Sequence, residues 1–167
     1  MAKRSAPDQL QPALLDRLTD HNPDNKKESG ARRTLSQKQY KDAVIRDLGA
    51  LFNSVSLDSV VDLDAYPEVR RSVLNYGLPD FSGRPSSGIE VAELEKNIKR
   101  VICDFEPRII RNSLRVRVRS DPSAMNSNAL YFEIEGVVFE QPMPFQVLLH
   151  SKLDLESGDF DVSEDRG

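Results

Sequence analysis

The hydrophobic period of this chain changes once, at Pro107, and that change decides the fold class. Ahead of it, apolar residues recur at helical spacing. Val91, Leu94, Ile98, Val101, Ile102 and Phe105 are separated by 3, 4, 3, 1 and 3 positions, which makes one face of a helix over 89–105. Behind it the period is two. Leu114, Val116 and Val118 alternate with Arg115, Arg117 and Arg119. Leu130, Phe132 and Ile134 turn inward from a strand over 129–139, with Glu133 and Glu135 outward. Phe145, Val147, Leu149, Leu153 and Leu155 alternate with Gln146, His150, Lys152, Asp154 and Glu156. Phe160 and Val162 add a short fourth piece after a turn at Ser157-Gly158-Asp159. The residue before a proline avoids the α region, so Glu106 is extended and Pro107 ends the helix; Pro107 then opens a short turn through Arg108-Ile109-Ile110. Strands joined by short loops pair antiparallel. Helices first and strands last therefore predict an α+β fold, a small, mainly antiparallel sheet of three to four strands packed against the 89–105 helix. Gly136 reads as a bulge, and the strand near 145–156 as the free sheet edge.

Upstream, Ser36 and Gln39 form a capping-box pattern. Tyr40, Ala43, Val44, Asp47, Leu48, Leu51 and Phe52 then keep helical period, which predicts a helix over 37–53. Residues 54–65 carry three Asp and no base and read as loop. Pro67 suits a helix's first position, with Val69, Val73 and Leu74 as its buried side, Gly77 as its C-terminal cap and Pro79 as its stop. Near the start, Leu10, Leu14, Leu15 and Leu18 share one helical face, with Asp16 and Arg17 off it. The segment 22–35 is polar and reads as a flexible linker. The expected division is a docking helix in 1–21, the linker, a domain over 36–162 and an acidic tail at 163–167. A lone helix of three turns is marginal in water, so this one must dock on its own domain or on a neighbour.

Composition removes several classes. One cysteine in 167 residues excludes a disulfide framework and a multi-cysteine metal site. Apolar runs stop at three or four residues, so no stretch spans a bilayer. Met1-Ala2-Lys3-Arg4 is basic but no apolar stretch follows it, so it is not a secretory signal, and the expected setting is a reducing cytoplasm. The net charge of −4 argues against a general nucleic-acid binder. The charge is segregated: six Arg lie in 100–119, and six acids with no base lie in 153–165. That pattern suits a contact surface, or two segments neutralising each other.

Motifs for catalysis are missing. No nucleophile elbow, Gly-rich phosphate loop or His-Glu-x-x-His occurs. Glu133 and Glu135 lie opposite basic residues, where they pair across strands. His21 and His150 lack ligand-spaced partners, and Cys103, beside the apolar stripe, is a packing residue. No cofactor or metal is expected. The most pointed local feature is Glu106-Pro107-Arg108, two opposite charges flanking a rigid residue at the helix-to-strand corner. It reads either as helix termination with a surface ion pair or as a fixed fork for a partner.

Several segments together resemble the TssE family of type VI secretion baseplate subunits, part of the lysozyme-like phage baseplate wedge family. The resemblance is carried by Leu14-Leu15-Asp16-Arg17-Leu18, by Ile45-Arg46-Asp47-Leu48 with Leu51-Phe52-Asn53, by the stretch from Tyr66-Pro67-Glu68-Val69 to Phe81-Ser82-Gly83, by Phe105-Glu106-Pro107-Arg108 and by the ending Leu153 to Phe160. It spans roughly 10–162 and departs at Ser54-Val55, where a Thr-Arg-like pair is expected. It implies a non-enzymatic part that sits in a wedge with TssF, TssG and TssK, in a cytoplasmic baseplate docked at the inner membrane, and starts the TssB–TssC sheath by strand addition. Glu106, Pro107 and Arg108 would lock onto the wedge. Leu14, Leu15, Asp16, Arg17 and Leu18 would dock on a neighbour, and the strand bearing Phe145, Val147, Leu149, Lys152 and Leu153 would meet the sheath. No nucleic acid and no direct membrane insertion are expected. The competing readings are a cell-wall glycosidase and a generic adaptor.

Overall fold

The computed structural model describes residues 13–19, 35–83, 88–119, 128–139 and 143–164, without the side chains of Leu15 and Arg17. Leu10, His21, nearly all of the 22–35 linker and the last three residues of the acidic tail lie outside the described residues.

Helix α1 is Leu14–Leu18 and helix α2 is Gln37–Phe52. The expected capping box starts α2. Ser36 Oγ accepts from the Gln39 N–H at 3.3 Å, and Gln39 Oε1 accepts from the Ser36 N–H at 2.9 Å. Helix α3 is Pro67–Arg70, and α4 is Val91–Phe105 with Leu94, Ile98, Val101 and Ile102 buried, as the period predicts. Four strands follow: β1 Arg115–Arg119, β2 Ala129–Val138, β3 Phe145–Asp154 and β4 Phe160–Glu164. They lie in sequence order and every neighbouring pair is antiparallel. The fold is α+β as expected.

Alternation puts Leu114, Val116, Phe132, Ile134, Val147, Leu149 and Leu153 on the inner sheet face. Two helices cover it: α4 lies against β1 and α2 against β4. Lys41 on α2 also pairs with Glu164 on β4. Val44, Leu48, Ile102, Ile134 and Leu149 are wholly buried in this one core, each stabilising by about 1.5–3 kcal/mol through transfer from water. Cys103 packs against the same core.

Four local expectations need correction. First, β3 lies between β2 and β4, so residues 149–153 are interior. The sheet edges are β1 and β4, and only the Phe145–Leu148 half of β3 runs past its β4 partner. Second, Gly136 is not a bulge: it pairs with Val147 in unbroken register. A Cβ there would stand 3.2 Å from Ile109 Cγ2, so it is small because Ile109 packs on it. Third, Val73 and Leu74 are 79% and 67% exposed, because α3 stops at Arg70 and a separate 3₁₀ turn follows at Val73–Asn75. The buried residue of that turn is Asn75, which accepts from the Asp58 N–H at 2.8 Å. Fourth, Gly77 does not cap a helix. It has φ +121° beside an isolated parallel bridge between Val55 and Leu78, and a Cβ there would lie 2.1 Å from the Ser54 carbonyl oxygen.

Candidate functional site

Glu106 leaves α4 with φ −118° and ψ 82°, the extended geometry that Pro107 imposes. Its carbonyl accepts from the Ile109 N–H at 3.2 Å, which closes a turn instead of a second helix. The next 3₁₀ turn begins only at Arg111. This turn folds Arg108 back onto Glu106. Glu106 Oε1 accepts from the Arg108 N–H at 3.1 Å and from Arg108 Nε at 2.7 Å, while Oε2 pairs with Nη2. The two charged residues of the corner thus grip each other through a bidentate contact. Glu106 is only 4% exposed.

The pair continues into the helices. Arg108 Nη2 donates to Asp47 Oδ2 at 2.7 Å. Asp47 Oδ1 accepts from Arg46 Nε at 3.0 Å and from Arg46 Nη2 at 2.8 Å. Arg46 Nη1 pairs with Asp16 of α1. The result is an alternating relay, Glu106–Arg108–Asp47–Arg46–Asp16, that ties the corner to α2 and α1. The Arg108 guanidinium also lies 5.9 Å from the centre of the Tyr40 ring. Burial opposes charge on Arg108, but Glu106 and Asp47 outweigh it and hold the proton above the usual arginine range. The hydrogen bond with Asp16, joined by Asp47, does the same for Arg46, and Arg46 in turn holds Asp16 below the usual carboxylate range.

Beside the relay lies a cleft of about 480 Å³ between Ala13 just ahead of α1, Tyr40, Asp47 and Leu51 of α2, Tyr76, and the Phe105–Arg108 corner. Tyr76 and Phe105 meet edge to face with ring centres 5.3 Å apart. Burial raises the Tyr76 pKa, and the negative charges of Asp47 and Glu106 raise it further. Among the described residues, Arg108 Nη1 and Asp16 Oδ2 are buried without a hydrogen-bond partner. Tyr40, Leu51, Tyr76 and Phe105 give the cleft aromatic and apolar walls beside the charged Asp47, Glu106 and Arg108.

The sequence-predicted residues fall into three places. Glu106, Pro107 and Arg108 line the cleft, as does Ala13 just ahead of α1. Asp16 holds α1 on α2, while Leu14 and Leu18 are exposed at 70% and 74%. The strand residues Val147, Leu149 and Leu153 are core, Phe145 is partly buried against that core, and Lys152 lies 3.9 Å from Asp154. Lys152 is the exposed one among them. Glu133 pairs diagonally with Arg119 at 2.8 Å, and Glu135 with Arg115 at 3.8 Å, so these glutamates form cross-strand ion pairs. Among the described residues no cluster of three His, Cys, Asp or Glu is placed to hold a metal, and no helix is long and apolar enough to cross a membrane.

Sequence reasoning missed Asp47 as a member of the site. Its signal was only its place beside the apolar period Val44, Leu48, Leu51 of α2; in the structure its side chain is 29% exposed. It missed Asn53 too. That residue bonds the ends of α2 and β4, and its only sequence signal is its place just after the helix.

The architecture is an α+β domain, a four-stranded antiparallel sheet covered by helices, with a charge relay that ties the Glu106–Arg108 corner to α2 and α1. Residues 38–143 match the model of the baseplate wedge protein gp25 family, and the chain belongs to that family, whose members are structural baseplate parts. No curated protein and no solved structure matches the chain.

Proposed function

We propose that this chain is a TssE-type subunit, the type VI secretion counterpart of the phage wedge protein. It joins TssF, TssG and TssK in a cytoplasmic baseplate at the inner membrane and starts polymerisation of the TssB–TssC sheath. The observation that carries the reading is the cleft at the Glu106-Pro107-Arg108 corner, with Arg108 Nη1 buried and unpartnered among the described residues. A wedge protein docked in this cleft would cover Tyr40, Tyr76 and the Arg108 corner. The corner's pairing within the chain supports a reading in which Glu106 and Asp47 hold Arg108 in position and Arg108 meets the partner. Leu14 and Leu18 on α1 offer a second, apolar contact beside the same cleft. The test is a pull-down with the full chain from the native cytoplasm, followed by partner identification. Recovery of wedge and sheath proteins is the expected result. Recovery of neither, or release of reducing sugar from peptidoglycan by the pure protein, would overturn the reading.

A further inference from the structure

The two sheet edges differ in how much of their main chain is already used. In an antiparallel ladder, alternate residues direct both main-chain groups to one side. On β4, Asp159 O accepts from the Asp154 N–H, so 159, 161 and 163 face β3. Phe160, Val162 and Glu164 therefore face outward. Phe160 is closed. Its N–H donates to Asn53 Oδ1 at 2.9 Å, and its carbonyl accepts from Asn53 Nδ2 at 2.8 Å. This is the hydrogen-bond pattern of a paired strand residue, supplied by one side chain. Asn53 Nδ2 also donates to Gly49 O at 2.8 Å, which fixes the amide against the end of α2. Val162 and Glu164 follow in succession and, among the described residues, no hydrogen bond is recorded for their outward groups.

On β1 the outward row is Leu114, Val116 and Val118. The Leu114 N–H is turned back to Arg111 O, and the Val118 N–H donates to Glu95 Oε1 of α4 at 2.6 Å. Val116 stands alone between two used positions, next to a carboxylate that repels an incoming carbonyl. An added strand needs successive sites, and β4 offers them where β1 does not.

We propose that a partner strand adds along β4 at Val162 and Glu164, and that Asn53 sets its register by occupying the main-chain groups of Phe160. The inference rests on the reading that this protein starts a sheath by strand addition, and adds to it the edge, the stop residue and the chemistry of the incoming segment. Asp161 occupies the non-hydrogen-bonded position facing that segment, where opposing side chains come closest, and it is exposed. The segment that fits is extended and carries a Lys or Arg opposite Asp161.

The test uses the full chain with purified sheath subunits, reading amide hydrogen exchange residue by residue and affinity in parallel. Slowed exchange at Val162 and Glu164 on binding, with Phe160 equally slow in the free and bound protein, is the expected result. Val162→Pro removes an outward N–H without touching the bonds to β3, and it should weaken binding by about tenfold or more. Val116→Pro on the other edge should bind as the wild type does. Unchanged melting temperatures for both variants show that the fold is intact, and Glu164→Pro serves as a second probe if Val162→Pro does not fold. Binding with slowed exchange on β1, a change at Phe160, or wild-type affinity in Val162→Pro would overturn the edge assignment while leaving sheath binding in place. No binding by the wild-type chain would instead remove the underlying reading and this inference with it.

Discussion

Arg108 and Asp47 lie 61 positions apart and are joined by a 2.7 Å hydrogen bond from Nη2 to Oδ2. That bond carries the Glu106–Arg108 pair of the helix-to-strand corner into the middle of α2. Arg108 is consequently a fastener as well as a contact residue. Arg108→Ala leaves Glu106, 4% exposed, as a buried carboxylate without its counter-charge, and should cost about 3–5 kcal/mol in urea unfolding. Charge reversal at Arg108 should cost at least as much, so loss of assembly in that variant reports on folding as well as docking. The double change Glu106→Gln with Arg108→Met should recover part of the loss, because it removes both charges together. Equal stability of wild type and Arg108→Ala would show that the relay is not closed in solution.

Two glycines should respond to alanine with opposite sign. Gly77 has φ +121°, and its Cβ would meet the Ser54 carbonyl oxygen at 2.1 Å, a backbone atom that cannot swing away. Gly77→Ala should destabilise by more than ~1 kcal/mol and break the bridge between Val55 and Leu78. Gly49 lies within α2, and nothing comes within 4 Å of its added Cβ. Gly49→Ala should stabilise by about 0.5–1 kcal/mol through helix propensity. Thermal melts of the pair decide this, and melting shifts of the same sign would contradict the local geometry at one of them.

Ser151 interrupts the apolar stripe of β3. It is 3% exposed and its hydroxyl lacks a hydrogen-bond partner among the described residues. A buried hydroxyl without a partner costs about 1–3 kcal/mol in desolvation. Ser151→Ala removes that cost and leaves only a small void, so the melting temperature should hold or rise. A clear fall would reveal a partner for this hydroxyl.

The parts of the fold that were legible are those where period encodes a face. Leu94, Ile98 and Ile102 could only be one side of a helix, and the Arg115–Arg119 alternation could only be a strand. Elements held by distant hydrogen bonds were not legible. Val73 and Leu74 fit a helical stripe, yet both are exposed, because Asp58 and Arg70 bond Asn75 and set the turn. The free edge was misplaced because it depends on β4, a five-residue strand whose position is fixed by Asn53, Lys41 and the β3 register together. At the site, the Glu106-Pro107-Arg108 corner was readable from charge and proline. Asp47 was not, because a carboxylate in mid-helix normally faces water, and only its partner 61 positions later shows its role.

The 3₁₀ turn at Leu57–Ser59, which carries Asp58, should set part of the acid limit of stability. Burial disfavours its charge, but hydrogen bonds from Ser56 and Asn75 and the charges of Arg100 and Arg70 outweigh it, so its folded pKa lies below the ordinary carboxylate value. Asp16, held down by Arg46, has the same sign. A carboxyl whose pKa is lower folded than unfolded contributes its full stability above the unfolded value, about 3.9 for Asp, and loses it as pH falls through the folded value. Asp58→Asn keeps the main-chain bond from residue 58 to Asn75 Oδ1 but places an amide where Ser56, Asn75 and Arg100 all meet a carboxylate. It should be less stable than wild type by about 1 kcal/mol at neutral pH. That gap should narrow as pH drops below about 4, because wild type loses its carboxylate while the variant has none to lose. Urea midpoints measured from pH 7 down to pH 3 give the comparison, and a gap that stays constant or widens on acidification would show that Asp58 is not held ionised by its neighbours.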